Sequence, residues 1–541
     1  LFVVLTSLVV IPLFLPVVEL ARAPGGWAAW KEVDRIGTLA ANTLGLALGA
    51  IIIAIPAGVA AAVVLERFQP PGANVLRAVV IIGLFIPLPV YAVAWQTVLG
   101  NWLPPLTLEP GQVAWRPWAQ GLLPAAWVHG MAGLPWVIVI VSVALRFTDP
   151  TLEEEASLTG GPGAVLRLVI IPRLALAALA ATGWVVVQTA TEIPVTDAMM
   201  VRTFAEEVYT QLVGFPAGVS GAVAVTLPVW LAAVAIAAGI LWLMIGQFGL
   251  PAADTGVPSA LRVDGYLSNM AGLVVWLAVG VFAGLPLLAL LWQAGGTTGW
   301  SGSEFITTVR TVLRLHGRVL ASGVVAATVT GIMTAGLAWV ACWASERDRG
   351  LSRFLFVLAI AAWLTPGPLV GLGLKEAINQ LVTLEDRFLS AIGLTLTFAP
   401  MQSALYDQPS PLPGMWAAAI RFFPLAVVIC WPAVRAVPRE LTEAAALDGA
   451  GAWGEWRLIT WPQTRSAFFR AAMAVGALSL GEVSAGMIVT PPHYRAYMLE
   501  LFNQMHYGTE ATVAALCLVQ VAVTAAVVRV FAWVFHAPES R

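Results

Sequence analysis

Two glutamates interrupt long apolar stretches of this chain at matching places. Glu192 lies in Thr191-Glu192-Ile193-Pro194, and Glu482 lies in Gly481-Glu482-Val483-Ser484. A carboxylate set among apolar residues is costly, and by default it marks a function such as a gate or a substrate path. A local role competes with this, because a carboxylate beside Pro194 or Gly481 can bond the backbone groups that a helix break leaves unpaired. Metal ligation is a third role. The match rests on spacing: 482 − 192 = 290, and the prolines upstream repeat it, 462 − 172 = 290. An amphipathic stretch follows each glutamate. Residues 202–214 carry Thr203-Phe204 and Tyr209, and residues 494–508 end in Met505-His506-Tyr507-Gly508. Tyr209 and His506 are the further pathway candidates. Tyr507 reads as an interface anchor.

Upstream of each glutamate lies a polar loop. The first reads Glu153-Glu154-Glu155-Ala156-Ser157-Leu158-Thr159-Gly160, then Arg167 and Ile171-Pro172. The second reads Glu443-Ala444-Ala445-Ala446-Leu447-Asp448-Gly449-Ala450, then Arg457 and Trp461-Pro462. The shared order predicts a short helix that stops at glycine, the residue that enters the left-handed region freely. A proline then opens the next helix, where its missing N–H is no loss. Small residues on such a helix–turn let a partner approach closely, so each loop reads as a docking knob.

The elements that must position these groups are membrane-spanning helices. The chain has 541 residues, 59% hydrophobic and 11% charged, against roughly 25% charged in soluble proteins. Mean hydropathy is +0.85. A span takes ~20 apolar residues, and lipid demands that backbone groups be paired internally. Twelve spans are expected, near 1–20, 42–66, 76–99, 121–145, 174–198 and 218–246, then near 269–294, 319–344, 354–374, 414–434, 466–490 and 510–535. Residues 388–402 read as a re-entrant or outer-face piece. The fold class is therefore all-α and polytopic, as two parallel six-helix repeats over 1–250 and 269–541 with a linker at 251–268. Basic residues in the loops after spans two, four, eight and ten place those loops in the cytoplasm. A weaker echo joins Glu66-Arg67 to Glu346-Arg347, with Asn42 opposite Ser322, and is read as helix packing.

Other chemistries find little support. Cys342, Cys430 and Cys517 form no CxxC pair, and five scattered histidines show no metal spacing. A net charge of −2 gives no basic field for nucleic acid. The only two lysines, Lys31 and Lys375, stand outside any Gly-x-x-x-x-Gly-Lys motif, so ATP hydrolysis by a P-loop falls to another subunit. No HExxH or GxSxG motif supports an intramembrane enzyme.

The second loop resembles the EAA loop of ABC importer permeases, whose pattern is E-A-A-x-x-D-G followed by a hydrophobic residue and proline. Glu443, Ala444, Ala445, Asp448, Gly449 and Pro462 fit it. In the first loop Glu154, Ala156, Gly160 and Pro172 fit, while Glu155 replaces the first alanine and Thr159 the aspartate. The glycine–proline spacing is also one shorter, 172 − 160 = 12 against 462 − 449 = 13. The Tyr209 and His506 stretches resemble those of ferric-iron-type permeases. The resemblance implies a fused, two-half permease of the bacterial inner membrane. It implies two ABC ATPase subunits docked on the loops, a periplasmic solute-binding protein, and no cofactor on this chain, ATP being used by the partner. Ferric iron is the expected solute, with thiamine or another small solute as alternative. A 6+6 carrier driven by an ion gradient, with Glu192 and Glu482 as proton sites, is the competing class.

Overall fold

The computed structural model describes residues 1–103, 117–146, 150–214, 218–248, 265–296, 299–393 and 399–535. No strand occurs among them. Most of the expected linker at 251–268 lies outside the described residues. Nine helices there are long and apolar enough to cross a membrane: Phe2–Arg22, Val33–Phe68, Leu122–Arg146, Val165–Thr191, Gly218–Ala235, Ser268–Ala294, Gly302–Ser345, Leu412–Arg435 and Glu510–Val530. Two bent pairs bring the number to 11. The chain is an all-α, polytopic membrane protein.

Three expectations need revision. The spans at 76–99 and 354–374 are not straight. Ala73–Leu84 meets Leu88–Gly100 at 107°, and Arg349–Leu364 meets Gly367–Ala391 at 112°. The cause is a repeated Pro-x-Pro, Pro87 with Pro89 and Pro366 with Pro368, at one offset: 366 − 87 = 279 and 368 − 89 = 279. Pro87 and Pro366 are extended, with ψ of 146° and 142°. Each lacks the N–H that would continue the helix behind it, and the second proline suits the first turn of the next helix. Secondly, the span expected at 466–490 is the helix Trp461–Ser479, which carries Arg465 and Arg470 and is not among the eleven. Thirdly, residues 388–391 simply end the helix Gly367–Ala391.

The first helix of each part of the chain packs on the other part. Phe2–Arg22 lies along Gly367–Ala391, and its Leu5, Val9 and Leu13 share a core with Trp339, Leu355 and Phe423. The approach is close enough that a Cβ at Gly373 would fall 1.8 Å from the Pro12 carbonyl oxygen. Conversely, Val275, Phe282 and Ala289 join the core of Leu76, Val80 and Tyr91. Ser268 Oγ donates to the Phe68 carbonyl at 2.9 Å, and Trp276 Nε1 donates to that of Pro71 at 3.1 Å.

Small residues set the closest helix contacts, as expected where lipid offers no hydrophobic drive for association. Gly302–Ser345 crosses Trp461–Ser479 at Gly331, where a Cβ would stand 2.2 Å from the Ala472 carbonyl oxygen. Gly331→Ala is expected to cost about 1–3 kcal/mol through overpacking. The thermal midpoint of the purified chain in detergent measures it, and an unchanged midpoint would refute so tight a crossing.

Candidate functional site

The two glutamates meet on one arginine. Arg421 stands ten residues into the 24-residue helix Leu412–Arg435, so by helical rise it is ~14 Å from the helix start. Its Nη1 donates to Glu482 Oε1 at 2.7 Å, and its Nη2 donates to Glu192 Oε1. Ser484 Oγ donates to the other Glu192 oxygen at 2.7 Å. The backbone N–H groups of Ala485 and Gly486 donate to Glu482 at 3.0 and 2.8 Å. Side-chain exposure is 13% for Arg421, 16% for Glu192 and 4% for Glu482. Every one of these contacts to the carboxylates comes from a donor, and the guanidinium fork suits two carboxylates at once.

Breaks in the backbone create this meeting. Val165–Thr191 ends before Glu192, whose backbone is extended, and Pro194 opens the next turn. Trp461–Ser479 ends short of Glu482, and Gly486–Val489 follows. Glu482 therefore does bond the N–H groups freed by its own helix break, as the local reading expected. Glu192 does not close its own break but reaches across to Ser484 and Arg421. Both bent pairs converge here too. A Cβ at Gly481 would come within 2.8 Å of Pro87, and one at Gly367 within 2.7 Å of Ser484 and 2.8 Å of Arg421. The site is thus a cluster of helix ends around one cation, with one carboxylate in excess.

The two loops form helix–turns with differing turns. Arg439–Leu447 ends in a turn where Ala450 N donates to the Ala445 carbonyl and Gly449 N to that of Ala446, at 2.9 and 3.1 Å. Gly449 holds φ of +79°, as this glycine-terminated motif requires. In the first loop Gly160 has φ of −155°, and Gly161 takes the positive φ of 67°. The expectation for Gly160 is corrected to Gly161, which precedes Pro162 and is therefore pushed out of the helical region. Pro172 and Pro462 stand in the first turn of the α-helices Ile171–Thr191 and Trp461–Ser479, as expected, though those helices continue an earlier turn. A π-helical turn, Val165–Ile170 or Trp456–Thr460, runs into each, the ladder widening where proline supplies no N–H. Glu154, Glu155, Glu443, Ala444 and Asp448 are exposed, while Ala156 is buried and Ala445 partly so. Leu158 and Leu447 are each 90% exposed. They correspond at the loop offset, 447 − 158 = 289 and 443 − 154 = 289.

Each loop is fastened to the helices by its own chemistry. Arg67 and Glu153 pair at 2.6 Å with exposures of 0% and 2%. In the second loop Trp453 stacks on Trp456 at 4.4 Å, and Trp456 packs edge-on against Trp339. The Glu66-Arg67 echo is ionic as well as steric. Glu66 pairs with Arg146 at 2.9 Å, and Glu346 with Arg435 at 3.7 Å. Asn42 Nδ2 donates to the Arg202 carbonyl at 2.9 Å, whereas Ser322 bonds its own helix at Val319.

The stretches after the glutamates form a second junction. The helices Phe204–Gly214 and Tyr497–Tyr507 are not among the eleven spans. His506 Nε2 lies 2.9 Å from Asp197 Oδ2. Arg35 pairs with buried Glu207, which also accepts from Gln211 Nε2 at 2.7 Å. Burial, with the nearby Asp197 charge, pushes the Glu206 carboxyl up to about 7, against the pull of Arg202. Tyr209 is 42% exposed, and His506 is engaged by Asp197. The contacts of the Arg421 cluster include neither of them. No group of three or more His, Cys, Asp or Glu side chains among the described residues is placed to hold a metal ion.

The class that fold and site define is a polytopic α-helical membrane protein with an ion cluster at a junction of broken helices. No protein-family model matches the chain. No curated protein matches it either. Spacing found both glutamates but missed Arg421, Ser484 and Asp197. The signal for Arg421 was available, since it is the one charged residue between positions 412 and 434.

Proposed function

We propose that the chain is the permease of a bacterial ABC importer, two six-helix repeats fused in one polypeptide of the inner membrane. One observation carries the reading: two helix–turns of related sequence each present an almost fully exposed leucine, Leu158 and Leu447, at the same position. An isolated large apolar side chain on a polar loop is common. Two at one register, each beside a glycine turn and exposed acids, suit paired docking knobs for two ATPase subunits. The exchange of first helices ties the repeats together while leaving both loops outside. The chain itself serves as transport subunit, and ATP is bound and split by the partners. A periplasmic binding protein delivers the solute. Ferric iron remains the preferred solute on resemblance, and an excess carboxylate in the Arg421 cluster suits a cation. The same cluster keeps the gradient-driven carrier as a second reading, because buried ionisable groups in spans also serve proton relays.

Purification from the native membrane in mild detergent separates the two. Stoichiometric recovery of a P-loop ATPase, lost when Leu158 and Leu447 are both changed to Asp, is the expected outcome. Recovery of the chain alone after cross-linking favours the carrier.

A further inference from the structure

We infer that the contact between His506 and Asp197 is a proton-binding site, filled when the segments 194–214 and 497–507 come together and emptied when they part. The two residues are 309 positions apart in sequence. His506 Nδ1 lies 3.0 Å from the Phe502 carbonyl oxygen and Nε2 lies 2.9 Å from Asp197 Oδ2. Both partners are acceptors. A neutral imidazole has one N–H and satisfies one of them, leaving a nitrogen lone pair facing an oxygen. The imidazolium donates to both. Edge-on packing against Phe502, with ring centres 5.1 Å apart, holds the ring in this orientation. Side-chain exposures of 39% for His506 and 29% for Asp197 leave the site open to exchange with water.

The surrounding charges do not replace the proton. On the facing segment, Glu207 is taken by Arg35 and Gln211, while Glu206 feels both the Asp197 charge and the opposing charge of Arg202. On the histidine's own helix, Glu500 faces His316 at 3.9 Å and Gln504, and Tyr497 donates its hydroxyl to the Leu516 carbonyl. Tyr507, next in sequence, is 91% exposed. On the neighbouring helices Glu510 accepts from Gln293, and Tyr91 donates to the Gly83 carbonyl. The pair is partly solvated, so its effect is modest, about two- to fivefold in the closed population. The sign is fixed: acid fills the site and tightens the junction, and alkali loosens it. The site operates under either energy source considered above.

Backbone hydrogen exchange of the full chain in nanodiscs tests this between about pH 5.5 and 8, the range in which imidazoles titrate. After correction for intrinsic rates, protection in 194–201 and 497–508 is expected to be two- to fivefold higher at the acid end. His506→Gln, which keeps one hydrogen bond without titrating, is expected to flatten the response. Asp197→Asn does the same by a second route, and Glu206→Gln keeps the response. Protection in Glu510–Val530 reports that each variant is folded. A flat wild-type profile overturns the inference, as does a response that survives His506→Gln or vanishes in Glu206→Gln alone.

Discussion

Arg421→Ala is expected to destabilise the folded chain by about 3–5 kcal/mol, the range for removing one partner from a buried ion pair. The loss is large because two carboxylates would face each other with their shared cation gone. Glu192 would keep only Ser484, and Glu482 only its two backbone donors. Arg421→Lys should recover only part of the loss, since a single ammonium lacks the fork that reaches both carboxylates. The decisive comparison is the triple variant Arg421→Met, Glu192→Gln, Glu482→Gln. Removing all the charges together should restore most of the stability, because the penalty comes from uncompensated charge and not from lost packing. Thermal midpoints of the purified chain in detergent give the ranking. If the triple variant is no better than Arg421→Ala, the cluster holds by shape and its charges are incidental. If Arg421→Ala melts like the wild type, the bridge contributes nothing to the stability of the fold.

If the chain is the ABC permease proposed above, Gly449→Val is expected to weaken coupling to an ATPase partner while leaving the chain inserted. The position is open, with no heavy atom within 4 Å of a built Cβ, so space is not the obstacle. The obstacle is φ of +79°, which costs an L-residue about 1–2 kcal/mol, and β-branching adds to that. The turn bonds from Ala450 and Gly449 would be lost and the Leu447 tip would swing away. Gly449→Asn is the control, because asparagine tolerates the left-handed region. ATP turnover by the co-purified complex should fall more than about tenfold with valine, a change of ~1.4 kcal/mol or more in coupling, and stay near wild type with asparagine. Equal turnover in all three proteins would remove the second loop from the coupling route.

What the sequence made legible was whatever repeats. The offset of 290 brought Glu192 and Glu482 together, and the helix breaks beside them follow from Pro194 and Gly481. Arg421 was hidden because it has no counterpart: 421 − 290 = 131, and residue 131 is methionine. The bent pairs escaped because counting apolar residues treats proline as one of them, although Pro87 and Pro366 forbid a continuous ladder. Gly161 was missed because the loop pattern names the first of two glycines, while the proline at 162 decides which one breaks the helix. The nine unbroken spans among the described residues were readable from hydropathy alone. The exchange of first helices was not, since no local pattern encodes which distant surface a lipid-facing helix will choose.

That exchange bears on how the molecule is made. Phe2–Arg22 leaves the ribosome well before the surface it packs on in Gly367–Ala391, which lies 367 − 22 = 345 positions further on. At ~5–20 residues per second the first helix waits roughly 17–70 s before its partner exists. During that interval Leu20 already has Val208 and Ala222 to pack on, while the face that Gly367–Ala391 will cover stays open. Synthesis as one polypeptide ensures that the awaited surface arrives in cis, whatever the concentration of other copies in the membrane. Chain termination before position 335 leaves Leu5, Val9 and Leu13 without the rest of their core, so such truncated products carry an exposed apolar mark for removal.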